Sequence, residues 1–502
     1  MREFRKQFIL TKKNLKNNIN WKKTKISKFS LYSDVELEVN TFSNIGMELF
    51  LIGDAFDYQN PCDSNEEILK SVISDNVSLI EIIKRFDEFS GTYIVLYNNK
   101  LTNQLIAFND ATAQREIYYY LENNTDLVLG SQTNIISSIF DCELDQSKKA
   151  TDFYSSTSFK KKKSYVGDLT EYKDIKHLKP NHYLDLNSSE IKRFYPYRSL
   201  SKSNADFVAK KSADMIKGYL ESASNRYRLL LPVSAGWESR ILLAASKDIQ
   251  NKCHYFVFQS VDLSDKHIDI KIPKILLKKL NLKLHIVKKG TDLNPKYIPI
   301  LDKSIAFPRY ENFNYIIGYF SNFPNHMSVT GNVSEIARME WPDIYGLNGK
   351  KISMLQKYPL SEYAVEYYDK WLNINSKNFK KNNFRILDML YWEENCGNWV
   401  AKTNTESKMA IECFLPFNSR KLIDQMLTVN RRYRGKQNAK LYLKIINNLW
   451  SDCLQMPINP SNKKIIISIM QKSGIYAFYR NLLLLWKLFA IRYKNILKQI
   501  VK

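Results

Sequence analysis

The sequence predicts a β-rich αββα sandwich followed by a parallel α/β sheet that passes into a helical C-terminal part. Three observations carry this reading. Short runs of β-branched and aromatic residues fill the first 200 positions, apolar strands alternate with helices from about Phe207, and the periodicity beyond residue 350 is mainly helical. A chain of 502 residues is too long for one core, and 44% hydrophobic and 13% aromatic residues suffice for two or three.

In chain order, MELFLIGDAF, GTYIVLYNN, QLIAFND, REIYYYL and TDLVLGS read as strands punctuated by Asn, Asp and Gly, with one amphipathic helix expected over NEEILKSVISDNVSLIEIIKRF. Then KKSADMIKGYLESAS reads as a helix, RLLLPV as a buried strand, ESRILLAAS as a helix and CHYFVFQS as a second buried strand. IKIPKILLKKLNL is the next helix, KLHIV the third strand, and a fourth strand precedes TGNVSEIAR. Buried strands alternating with helices indicate a parallel sheet covered on both faces. YAVEYYDKWLNI, FRILDMLYWEENC and KLIDQMLTV are read as helices of the last part, and no repeat of fixed period is present.

Composition narrows the function. Six cysteines stand singly, with no CxxC pair and no histidine at metal-ligand spacing, which argues for a reducing compartment and against structural zinc. MREFRKQFILTKKN has no apolar core of signal-peptide length, and no uncharged run is long enough to span a bilayer, so a cytoplasmic protein is expected. The net charge of +24 is open to three explanations: a nucleic-acid partner, an anionic membrane surface, or solvated lysines spread along the chain. No zinc finger, RNA-binding signature or basic heptad region is present, so no nucleic-acid partner is expected.

The stretch LLPVSAGWESRILLAAS, residues 230 to 246, breaks from a buried strand into a helix at Ser234, Ala235, Gly236, Trp237, Glu238 and Ser239. One reading is an ordinary connection in which Ser234 or Ser239 caps the helix. The other is a phosphate site, since small residues let backbone approach an anion, the helix N-terminus presents free N–H groups, and ligands bind beyond the carboxyl ends of parallel strands.

Ser-Ala-Gly-Trp-Glu-Ser resembles the pyrophosphatase (PP) loop of the asparagine synthetase family, Ser-Gly-Gly-x-Asp-Ser, and four further stretches resemble that family in the same order. FSGTYIVLYNN with LIAFNDATAQREIYYYLENNTDLVLGSQTN resembles the end of its glutaminase-type, Ntn-hydrolase-like domain; YKDIKHLKPNHYLDL resembles the closing segment, with Asn181 where glycine is usual. Asn tolerates positive φ, so that turn is expected to survive. TGNVSEIAR resembles the second pyrophosphate loop, keeping Gly331, with Ser334 in the loop, Val333 in place of a glycine, Glu335 in place of the aspartate and Ile336 in place of a glutamate. IECFLPFNSRKLIDQML with RGKQNAKLYLKII resembles the segment bearing Glu412, Pro416, Phe417 and the family's lysine, here Lys440.

The resemblance implies ATP and Mg²⁺ as cofactors. Ser234, Ala235, Gly236, Trp237, Ser239, Gly331 and Ser334 would bind the nucleotide, Glu238 and Glu335 would hold the metal, and Lys440 and Glu412 would act in catalysis. Taken on its own, Lys440 among 75 Lys and Arg reads as a solvated helix lysine, and Glu412 equally as the half-buried partner of an arginine. Glutamine-using members begin with a nucleophilic cysteine, whereas residue 2 here is Arg2 and no cysteine precedes Cys62. The expectation is therefore an inactive glutaminase-like domain (1–195), a ligase domain (206–460) and a basic tail (461–502). The substrate would be a small-molecule, glycan or peptide carboxylate, and the nitrogen donor ammonia or an amine. The competing expectation is a non-catalytic scaffold that kept the fold while its loops eroded.

In the tail, Arg480, Lys487, Lys494, Lys498 and Lys502 share one helical face opposite Leu, Trp and Phe. Residues 480–502 either lie on an anionic membrane surface as a peripheral contact or pack on the protein as a terminal helix.

Overall fold

The computed structural model describes residues 2–15, 21–73, 77–122, 126–260, 263–288, 293–320, 322–359, 361–460, 470 and 475–500. It is an αββα sandwich joined to a parallel sheet with helices on both faces. The first antiparallel sheet runs β10-β8-β9-β1-β3-β2 and the second β12-β11-β7-β6-β5-β4. These strands are β1 (Phe8–Thr11), β2 (Trp21–Ile26), β3 (Phe29–Asp34), β4 (Val39–Ser43), β5 (Met47–Phe56), β6 (Ser90–Asn99), β7 (Gln104–Asn109), β8 (Tyr118–Glu122), β9 (Asp126–Gly130), β10 (Ile175–His177), β11 (His182–Asp185) and β12 (Ile191–Arg193).

Side-chain alternation builds the layers. Phe50 and Ile52 of β5 face Phe8, Leu10, Phe29 and Leu31 between the sheets. Leu49 and Leu51, on the opposite face of the same strand, pack under the helices Asn65–Val72 and Leu79–Phe86. Those two helices replace the single helix expected over residues 65–86. Ser64 and Ser78 each head a capping box, closed by Glu67 and Glu81, so the second serine starts a new helix.

The parallel sheet has the order β15-β14-β13-β16-β17, built from β13 (Arg228–Pro232), β14 (Cys253–Gln259), β15 (Leu284–Lys288), β16 (His326–Val329) and β17 (Glu412–Phe414). Leu229 and Leu231 of β13 join the same core as the sandwich helices, through α1 (Ala205–Arg226) and α2 (Trp237–Ala245). Leu230 packs on the other face against Ile316 and Phe320. Strand order reverses at β13, with β14 on one side and β16 on the other, so the crevice of this sheet opens between the loops that follow β13 and β16. The three-residue β17 completes the edge. Asn181 holds φ +69°, the left-handed conformation expected where an asparagine replaces glycine.

Candidate functional site

The first loop leaves β13 at Pro232 and enters α2 through Gly236, the N-cap residue, which makes no side-chain capping bond. Neither Ser234 nor Ser239 caps the helix. Their hydroxyls lie 2.9 Å apart, the Ser234 N–H donates to Ser239 Oγ at 3.1 Å, and the Gly236 N–H donates to Ser234 Oγ at 3.0 Å. The Ala235 N–H donates to Asp269 Oδ1 at 3.1 Å, from the first turn of α3 (Ile268–Lys279). A carboxylate thus sits on a loop amide, as an anion from a ligand would. Trp237, the first residue of α2, is buried.

The second loop follows β16 and comes to lie directly against Glu238. A Cβ on Gly331 would stand 2.5 Å from Glu238 Cβ, so only glycine allows this approach. Val333 takes φ +69° while fully buried. A β-branched side chain in that region costs about 1–3 kcal/mol, so the loop keeps a glycine's conformation without the glycine.

Glu238 pairs with Arg338 at 2.9 Å. Burial first, and the Glu238 charge second, push the Glu335 carboxyl up to about 7, against the pull of Arg338. Among the described residues, Glu335 Oε2 and the buried Ser334 Oγ have no hydrogen-bond partner. The structure therefore brings Ser234, Ala235, Gly236, Glu238, Ser239, Gly331, Ser334 and Glu335 to one crevice at the carboxyl ends of adjacent parallel strands. Two carboxylates suit a Mg²⁺ that takes its remaining ligands from phosphate oxygens and water, although Arg338 already supplies one positive charge there. No group of three or more acidic, His or Cys side chains converges on a metal position among the described residues.

Lys440 opens α4 (Lys440–Trp450), where it is exposed. Tyr442, two residues on, donates its hydroxyl to the Ser334 carbonyl at 2.6 Å, which sets the start of this helix beside the second loop. The chain beyond α4 then crosses the first loop. The buried Arg240 donates to the carbonyls of Cys453 at 2.7 Å and Met456 at 2.9 Å, and the Asn459 N–H donates to the Ala235 carbonyl at 2.7 Å.

Glu412 is not among the residues brought to this crevice. It starts β17 in register with Met327, which pairs with Leu229, so it lies at the opposite end of the strands from the loops. Arg115 holds it at 2.8 Å and Lys6 at 3.2 Å. Burial alone would raise its carboxyl, yet these two cations hold it well below the usual carboxylate range. It is the arginine's partner that the alternative reading describes. Arg2, for its part, pairs with Asp34 at 2.8 Å and Glu36 at 2.9 Å.

Four residues of the site escaped the sequence reading: Asp269, Arg338, Tyr442 and Asn459. Asp269 carried a signal, an acid in the first turn of the helix that follows the second parallel strand. A lone Arg, Tyr or Asn in a chain this basic carries none.

No family model matches the chain, and no curated protein matches it. Its backbone is similar to solved structures of other proteins. NH3-dependent NAD synthetase from Campylobacter jejuni subsp. jejuni is 16% identical with a TM-score of 0.21, over 39% of this chain and 93% of that one. Glutamine phosphoribosylpyrophosphate amidotransferase from B. subtilis is 10% identical with a TM-score of 0.24, over 60% and 86%. NMN synthetase from Francisella tularensis is 11% identical with a TM-score of 0.19, over 45% and 94%.

Proposed function

We propose that the chain is an ATP-dependent, AMP-forming amide ligase of the asparagine synthetase type, which adenylates a carboxylate and passes it to ammonia or an amine without using glutamine. The observation that carries this reading is the meeting of the two loops: Gly331 lies against Glu238, and an unpartnered oxygen of Glu335 lies in the same crevice. Loops of small residues, hydroxyls and amide N–H groups at a helix start suit a polyphosphate, and adjacent carboxylates suit its cation.

Bound Mg²⁺ would neutralise charge on the departing pyrophosphate, with Glu238 and Glu335 as its protein ligands. The amides of Ala235 and Gly236 and the hydroxyls of Ser234 and Ser239 would take phosphate oxygens, which requires Asp269 to release the Ala235 N–H and Ser234 Oγ to release the Gly236 N–H. Lys440 would add a positive charge as the α-phosphate is attacked. In this reading residues 1–195 form the glutaminase-like part without that activity, 206–460 the ligase part and 461–502 the tail. The carboxylate belongs to a small molecule, glycan or peptide.

Asp269 on the loop amide and Arg338 on Glu238 favour a second reading, a scaffold whose loops are closed on internal partners. Titration with ATP, with and without Mg²⁺, separates the two. The ligase binds ATP in a Mg²⁺-dependent way and, given its carboxylate and amine, releases AMP and pyrophosphate rather than ADP and phosphate; the scaffold binds no ATP.

A further inference from the structure

The C-terminal helix α5 (Ile475–Ile500) is attached to the protein by a narrow polar edge, and its apolar side is turned outward. Asn481, buried, accepts from the Tyr345 N–H at 2.9 Å and donates to the Asp343 carbonyl at 3.0 Å, with Leu484 buried beside it. Ile475, Phe478, Tyr479, Leu482, Leu485 and Trp486 are all exposed, Phe478 by 57%, Leu482 by 49% and Trp486 by 66%. At about 100° per residue, these six positions fall within roughly 120° of the helix circumference. In the sequence the same spacing continues at Tyr493, Ile496 and Ile500.

A helix that merely packs on a domain buries its apolar stripe, whereas this one buries Asn481 and Leu484 and leaves the stripe exposed. The stripe is wide, aromatic and continuous, the form of an exposed patch that marks an interaction surface. Charge indicates its partner: from Cys453 to Lys502 the sequence carries nine Lys and Arg and neither Asp nor Glu. Arg480 and Lys487 lie roughly opposite the apolar arc, from where long side chains reach back to a charged surface. Among the described residues no helix is long and apolar enough to cross a membrane.

We propose that α5 lies in the plane of an anionic lipid surface, its Phe478–Leu482–Trp486 stripe buried among the acyl chains and its basic residues at the headgroups. Apolar burial plus headgroup attraction are the two signals that stable peripheral binding needs. The proposal uses none of the residues of the loop crevice, so it stands whether or not the ligase reading does.

Co-sedimentation of the full chain with vesicles tests this. Vesicles of phosphatidylcholine with one quarter phosphatidylglycerol are expected to pull the protein down at low salt. Binding should fall about tenfold or more on vesicles of phosphatidylcholine alone, or in high salt. The double substitution Leu482→Glu and Trp486→Glu should abolish it without changing the thermal melt, because both side chains are exposed. Arg480→Gln with Lys487→Gln should weaken it on anionic vesicles alone. No binding to anionic vesicles, or equal binding by the Leu482/Trp486 variant, overturns the proposal. So does a chain that ignores vesicles but sediments as a dimer dissolved by those same two substitutions, for then a second copy covers the stripe.

Discussion

Glu335, in the loop that follows β16, and Glu412, at the start of the neighbouring β17, lie toward opposite ends of the parallel sheet, and their surroundings treat the same side chain in opposite ways. Glu412 spends its oxygens on Arg115 and Lys6 and is held ionised, whereas Glu335 keeps an oxygen without a partner and is pushed toward neutrality. Burial alone therefore does not mark a functional acid. A satisfied carboxylate ties two halves of a molecule together, while an unsatisfied one next to a second carboxylate keeps capacity for a cation from outside.

The sharpest break of this contrast is Glu412→Ala. It leaves Arg115 and Lys6 near a buried position with no counter-charge, and stability to denaturant should fall by about 3–5 kcal/mol. Arg115→Ala with Glu412→Ala should cost less than the sum of the two single changes. The pH sign follows from the depressed carboxyl: the folded pKa is below the ordinary 4.5, so the stabilisation is complete above that value and is lost as pH falls below it. An acid transition that is unaltered in Glu412→Gln would remove Glu412 from its structural role.

Lys440→Ala comes next, with its effect on rate instead of stability. Loss of an exposed lysine at a helix start should leave the melt unchanged, but under the proposed ligase function the loss of a contact to developing charge should slow turnover by about a hundredfold or more, near 3 kcal/mol. Unchanged turnover would return Lys440 to the solvated surface.

A smaller effect tests the second loop. Because Val333 holds a left-handed conformation, Val333→Gly should be less damaging than Val333→Ala by about 1 kcal/mol, the reverse of the usual order of glycine and alanine. Equal or inverted costs by chemical denaturation would show that no strain resides there.

The sandwich and the parallel sheet were legible because their central strands are apolar and their turns carry Asn, Asp and Gly. The edges were not. β2, WKKTKI, is lysine-rich because an edge strand must discourage further pairing, and that polarity hides its strand character from a pattern search. β17 is too short to register a period. The two loops were legible through their residue types, and both acids were named before their meeting was known. The place of Glu412 was not legible, because a motif gives the residue type but not the end of the strand on which it falls. Arg338 was invisible because its role exists only once residues 238 and 338 are neighbours in space.

Calorimetric titration of Mg-ATP into the wild type, Glu238→Gln, Glu335→Gln and the double variant tests most directly whether Glu238 and Glu335 form one cation site for a nucleotide. Each single change should weaken binding about tenfold or more, and the double variant should be at most about twofold worse than either, since both disable the same site. Equal affinity in all four proteins, or no binding by the wild type, would contradict a shared site.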